Sequence, residues 1–255
     1  MALPIATAAI AAATALSIMA TDASAAQIKV LTAGAFRAVV VAVVPEFQRT
    51  SGDTVKVDND TVGALMRRIA GGEAFDVVVA SPAAIDELGR QGKVVSGSKT
   101  ELAKVGVGVM VKAGAPKPDV RTVEAFKHAV LQARSIAYID PDSGGSSGIY
   151  VAKLLTRLGI ADQVKNKTKL KKGGHVSDLV VSGEAELGIH QISEILPSRD
   201  VSLVGPLPAE IQNYTTYAAA ISPTSLNSQG AEALIRALAA PAATEILAAR
   251  GMQRP

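Results

Sequence analysis

The chain contains no cysteine and no tryptophan. Without cysteine there is no disulfide, no thiol nucleophile and no thiolate metal ligand, so stability must come from a packed core. Aromatic residues make up 3% of the sequence and do not alternate with basic ones, so no stacking surface for nucleic acid is expected. Histidine occurs only as His128, His175 and His190. No His-x-x-x-His pair or His–carboxylate cluster has metal-ligand spacing, so neither a metal nor a cofactor is expected. Charge of one sign is also scarce. The formal surplus is +3, and the one basic run, Lys165 to Lys172, reads first as a solvated surface turn.

What is present begins with an apolar leader. Residues 1–20 carry no charge, and Ala23-Ser24-Ala25 is a small-x-small cleavage signal. Residues 1–25 are therefore expected to be a secretory signal peptide that sends the protein to the periplasm. A membrane anchor is the competing reading; the cleavage-like end favours removal. The remaining length suits one large domain or two medium lobes.

Along the chain, short apolar runs alternate with helical patterns. Strands are predicted at 28–31, 55–57, 75–79, 105–111, 135–139, 185–189 and 217–221. Helices are predicted at 36–47, 65–69, 83–91, 122–132, 149–158, 176–182, 226–238 and 244–250. The order β-α-β-α-β-α at the start implies an α/β fold with a mainly parallel sheet and crossover helices. The segment 112–118, rich in Pro and Gly, reads as a crossover to a second lobe. The lobes are expected at 27–110 with 217–255, and at 111–216.

The stretch Asp140 to Tyr150 is the most telling motif. It joins a strand to a helix through Ser143, Gly144, Gly145, Ser146, Ser147 and Gly148. Such a loop offers free backbone N–H groups, hydroxyls and the positive end of a helix dipole, which together hold anions without a lysine. It has no Gly-Lys-Ser/Thr ending, so it is not a P-loop. A plain capped connector is the alternative. Other strand ends reach small or polar residues in the same way. In open α/β sheets ligands lie beyond the carboxyl ends of strands. The ligand-binding candidates are accordingly Gly34, Ala35, Thr61, Val62, Gly63, Ser81, Ser143, Ser146, Ser147, Gly148, His190 and Gln191. His175 either lines the cleft or sits in a plain loop, and His128 is expected at the surface.

Taken in order, Ile28 to Ala35, Gly63 to Ile69, Phe75 to Ser81, Asp140 to Asp142 with Gly148 to Tyr150, Gly183 to Ile189 and the Ala-rich C-terminal helices resemble the periplasmic solute-binding proteins of ABC importers. The similarity is to the two-lobed type that includes molybdate-binding proteins. It implies a monomer that closes on a small anion and delivers it to a transporter permease. In the molybdate binders the first loop ends in serine, the second carries Ser-Ser-Gly, and a tyrosine follows the strand near position 190. Here these places hold Ala35, Thr61-Val62-Gly63 and His190-Gln191. The resemblance thus implies the fold, while the donors fit a small organic carboxylate better than molybdate. The same branch is similar to a periplasmic aconitate isomerase. That likeness implies an alternative: cis/trans isomerisation of an unsaturated tricarboxylate by proton transfer, with His190 as the catalytic base.

Overall fold

The computed structural model describes residues 26–255; the leader expected at 1–25 lies outside them. The elements run β1 (Gln27–Ala33), α1 (Gly34–Ser51), β2 (Thr54–Asp60), α2 (Val62–Ala70), β3 (Val77–Ala80), α3 (Pro82–Arg90), β4 (Thr100–Lys112), α4 (Val123–Gln132), β5 (Ile136–Ile139) and α5 (Ser146–Arg157). They continue α6 (Ala161–Val164), β6 (Thr168–Lys171), α7 (Ser177–Val181), β7 (Leu187–Gln191), α8 (Ile192–Ile195), β8 (Val201–Pro206), β9 (Tyr214–Ile221), α9 (Ser228–Ala239), α10 (Thr244–Ala249) and β10 (Met252–Gln253). None of the described helices is long and apolar enough to cross a membrane.

The strands form one continuous path, β2-β1-β3-β9-β4-β7-β5-β6, with β8 and β10 also pairing with β4. The expected parallel order holds for β2-β1-β3 and for β7-β5-β6. The returning strand β9 and the long β4 run antiparallel to their neighbours. β4 joins the two halves. Residues Thr100 to Gly106 pair with β9, and Val107 onward pairs with β7. Gln212 fastens this change of partner. Its Oε1 accepts from Val107 N–H at 2.8 Å, and its Nε2 donates to Val107 O at 3.0 Å.

Each half buries its own core, because crossover helices lay an apolar stripe on each face of the sheet. On one side Phe36, Val39 and Val40 of α1 and Leu234 and Leu238 of α9 meet β1, β3 and Tyr217. On the other face of the same strands lie Leu65, Ile69, Ile85 and Leu88 of α2 and α3. In the second half Phe126, Val130, Leu154 and Leu155 pack on β5 and β7. The Val39 to Val44 run is a poor helix former by propensity, yet it folds as helix because one face of it, with Val39, Val40 and Val43, is buried there.

The longer helices start in two ways. Thr61, Ser81, Thr122 and Asn227 cap α2, α3, α4 and α9 with a side-chain oxygen that accepts from a first-turn N–H. The helices α1 and α5 begin without a side-chain cap. Both open onto the cavity described below.

The structure adds elements that the pattern does not predict. The Lys165 to Lys172 run is not a plain turn, for it contains β6, an exposed edge strand parallel to β5. Lysines on such an edge discourage pairing with another chain. Lys167 Nζ donates to Leu131 O at 2.6 Å and Ala133 O at 2.7 Å, closing the end of α4. Strand β8 also goes unpredicted, since Gly205 and Pro206 interrupt its pattern.

Candidate functional site

A cavity of about 270 Å³ lies where the starts of α1, α2 and α5 converge with the ends of β2 and β7. Eight of the expected residues line it: Gly34 and Ala35, Thr61 and Val62, Ser146 and Ser147, His190 and Gln191. No Lys or Arg stands in its wall. The donors it offers an anion are instead uncapped N–H groups at the starts of α1 and α5, hydroxyls and an amide.

The other four candidates lie outside the wall. Ser81 caps α3, where its Oγ accepts from Ala84 N–H at 3.4 Å. Ser143 is buried, and its Oγ donates to Asp140 O at 2.7 Å. Gly63 donates its N–H to Gly144 O at 3.2 Å. Gly148 is glycine because α5 lies hard against β5; a Cβ there would stand 2.1 Å from Ile139 O. That is a packing requirement.

Within the wall the polar side chains form two groups. Gln191 Nε2 donates to Ser146 Oγ at 3.1 Å and to Thr215 Oγ1 at 3.0 Å. Its Oε1 is buried with no partner among the described residues. The second group centres on His190 and Glu194. Their side chains are 3% and 9% exposed, with Nδ1 and Oε2 3.2 Å apart. Ser147 Oγ is 3.5 Å from the same Nδ1.

Burial sets the protonation of this group. It pushes the His190 pKa down to about 3, helped by the nearby His175. It pushes the Glu194 pKa up to about 8. The Tyr217 hydroxyl is also raised, first by burial and then by Glu194, against the opposing pull of its Ser146 hydrogen bond. Near neutral pH the group is therefore an uncharged imidazole beside an uncharged carboxylic acid.

Glu194, Asn59, Asp60 and Tyr217 line the cavity but escaped sequence reasoning. Asn59 and Asp60 end β2, so the rule that ligands sit beyond strand ends would have found them. Glu194 had one signal: an acid inside the apolar run Ile192 to Leu196. His175 lines the cavity with its side chain 48% exposed. His128 is at the surface. Among the described residues no group of three His, Asp or Glu could hold a metal ion.

Comparison with known proteins accords with this architecture. Residues 28–253 match the family model described as bacterial extracellular solute-binding protein. A protein named aconitate isomerase, from a Pseudomonas species, is 31% identical over 232 residues, 88% of this chain and 86% of that one. The molybdate-binding protein ModA of Azotobacter vinelandii is 27% identical over 247 residues, 92% of each chain. Among solved structures, the periplasmic molybdate-binding protein of Azotobacter vinelandii superposes with a TM-score of 0.77 at 22% identity, covering 89% of this chain and 99% of that one. The sulfate-binding protein SubI of Mycobacterium tuberculosis superposes with a TM-score of 0.71 at 19% identity, covering 90% of this chain and 87% of that one. These superpositions show the periplasmic-binding-protein fold. The chain belongs to the bacterial extracellular solute-binding proteins.

Proposed function

We propose that the protein captures a small organic carboxylate in the periplasm and delivers it to an ABC importer. The observation that carries this reading is the cavity wall. It offers hydroxyl, amide and helix-start donors with no cation, and between them it sets the apolar groups of Ala33, Ala35, Val62 and Ile139. A tetrahedral oxyanion presents oxygen on every side and needs donors all round. A carboxylate carries a carbon skeleton that such apolar walls accommodate. Ala35 and Val62 bring no hydroxyl, which weighs against molybdate. The lobes expected at 27–110 with 217–255 and at 111–216 belong to this reading, as does a monomer closing about a hinge. The change of partner along β4 at Gly106 and Val107 supports such a division. Calorimetry with citrate, cis-aconitate, trans-aconitate, molybdate and sulfate tests it. Binding of a carboxylate with molybdate silent is the expected result, and tight molybdate binding alone would overturn it.

A second reading is isomerisation of an unsaturated tricarboxylate. Two observations favour it: the 31% identity with the protein named aconitate isomerase, and the His190–Glu194 pair in the cavity wall. Proton transfer at carbon needs a group that takes a proton and returns it. His190 would have to act from a neutral ring whose pKa burial has lowered. Purified protein incubated with cis-aconitate in heavy water decides between the readings. Capture alone leaves carbon-bound protons unexchanged, and turnover to the trans isomer establishes the enzyme.

A further inference from the structure

Glu194 stands in the wall of a cavity that takes an anion, and an ionised carboxylate there would repel its ligand. Hydrogen-bond geometry removes the conflict. Gln191 N–H donates to His190 Nδ1 at 2.8 Å. Nδ1 is therefore an acceptor, and the ring proton resides on Nε2, which is buried with no partner among the described residues. Glu194 Oε2 lies 3.2 Å from that same Nδ1. Two acceptor atoms at this distance need a hydrogen between them; a Glu194 carboxyl O–H supplies it by sharing the Nδ1 lone pair with Gln191 N–H, while Ser147 Oγ makes only a longer contact at 3.5 Å.

Among the described groups that face the carboxyl, only His175 can carry a positive charge. From β7 the carboxyl faces neutral His190. From β9 it faces Tyr217, whose hydroxyl stays protonated. From the loop before α7, His175 Nδ1 stands 3.9 Å from Oε1. From α1 it faces uncharged Gly34, where a Cβ would come within 2.9 Å of Oε1. Asp60, at the end of β2, shares the cavity wall and lies 3.6 Å from Arg68. Burial holds the acid neutral to about pH 8.

We infer that Glu194 serves this site as an uncharged acid, its proton held against His190 Nδ1, and that this proton sets charge selectivity: the protonated wall admits an anion and the ionised wall excludes it. The inference rests on the anion-capture reading. Its consequence has a definite sign. An anion that binds only the protonated form loses affinity about tenfold per pH unit above the carboxyl's pKa.

Two measurements test it. Infrared difference spectra of the free protein should show the carbonyl stretch of a protonated carboxyl at pH 6, absent from Glu194→Gln; a wild-type spectrum without it overturns the inference. Calorimetry with citrate follows from pH 7.5 to 10, where citrate itself no longer titrates. Wild-type affinity should fall about tenfold per unit above pH 8, with uptake approaching one proton per citrate when buffers of different ionisation enthalpy are compared at pH 9. Glu194→Gln, whose amide can donate to the same Nδ1, should hold its own pH 7.5 affinity flat to pH 10. A flat wild-type profile, or equal slopes in both proteins, overturns the inference. If no carboxylate binds, the carboxylate reading fails instead, and the same pH series with sulfate still reads the Glu194 proton. Failure of every anion to bind sinks both.

Discussion

Gly63 and Gly144 meet so closely that neither has room for a β-carbon. A Cβ on Gly63 would stand 2.7 Å from Gly144 Cα, and one on Gly144 would stand 2.6 Å from Gly63 Cα. Gly63 N–H donates to Gly144 O, and beside it Thr61 Oγ1 donates to Ser143 O at 2.6 Å. The two segments flank the cavity, one at the start of α2 and the other just before α5. Gly144 has φ of +78°, a left-handed conformation that suits glycine. Glycine at 63 has a different reason, for it lies in helix and only the close approach demands it.

That difference yields a two-sided prediction for Gly63→Ala. Alanine is the better helix former by up to about 1 kcal/mol, but a methyl 2.7 Å from the Gly144 backbone forces the two segments to shift, so the protein should melt lower than wild type. The added methyl should meanwhile push the two segments apart and weaken ligand binding by about tenfold, roughly 1.4 kcal/mol. Calorimetry and thermal melting on the same preparation check both halves. Equal affinity in variant and wild type would show that this contact plays no part in closing the site.

Ser147 and Gly148 are neighbours with separate duties, and substitution should separate them. Ser147 lines the cavity, and Ser147→Ala should weaken binding by about 1–2 kcal/mol while changing melting little. Gly148→Ala drives a methyl into Ile139 O and should lower stability sharply, with binding lost as a consequence. Circular-dichroism melts paired with calorimetry distinguish the two. A stable Gly148→Ala protein would show that α5 can move away from β5.

Arg68 gathers Asp58, Asp60 and Glu73 at the end of β2. Glu73 also accepts from Lys29 Nζ at 2.8 Å, so its pKa falls from 4.5 to about 2, with Arg68 the larger cause. A carboxylate with a depressed folded pKa contributes stability that is present above its unfolded value and lost as pH falls through the folded one. Wild type should therefore lose stability between pH 4.5 and 2 through this group. Arg68→Ala should melt lower at pH 7 and show a shallower decline across that window. Glu73 is partly exposed, so solvent screening keeps the effect modest. Identical pH profiles in variant and wild type would exclude the contribution.

Much of the fold was legible because its signals are local. Val77 to Val79 and Ile136 to Ile139 are short apolar runs bounded by turn residues, and Thr61, Ser81 and Thr122 announce helices by capping them. The cavity's hydroxyls were legible for the same reason, since strand ends and helix starts can be read from sequence. What escaped depends on contacts between distant segments. The glycine at 148 was visible, but the β5 carbonyl beneath it was not. Gly63 looked like a ligand contact because nothing local reveals Gly144 opposite. Strand β8 has partners only through β4, and Glu194 is neutral only because β7, β9 and α1 together take it out of water.

The His190–Glu194 pair gives the last prediction, a stability profile with a flat centre. Folding moves one proton within the pair. In the unfolded chain Glu194 ionises near 4.5 and His190 near 6.5; in the folded protein these become about 8 and about 3. Between pH 4.5 and 6.5 each state holds a single proton on the pair, on the imidazole when unfolded and on the carboxyl when folded. The pair then contributes no pH slope. Above 6.5 the unfolded chain loses its histidine proton while the folded carboxyl keeps its own, so stability declines as pH rises toward 8. Below 4.5 the unfolded chain gains a carboxyl proton while the folded imidazole still refuses one, so stability declines as pH falls toward 3. Glu194→Gln should remove the alkaline decline and His190→Gln the acid one. Reading each variant as a difference from wild type cancels Glu73 and other distant groups. Denaturant melts at unit pH intervals measure it. An alkaline limb that survives in Glu194→Gln would place the titrating group elsewhere and undo the assignment of the proton to Glu194.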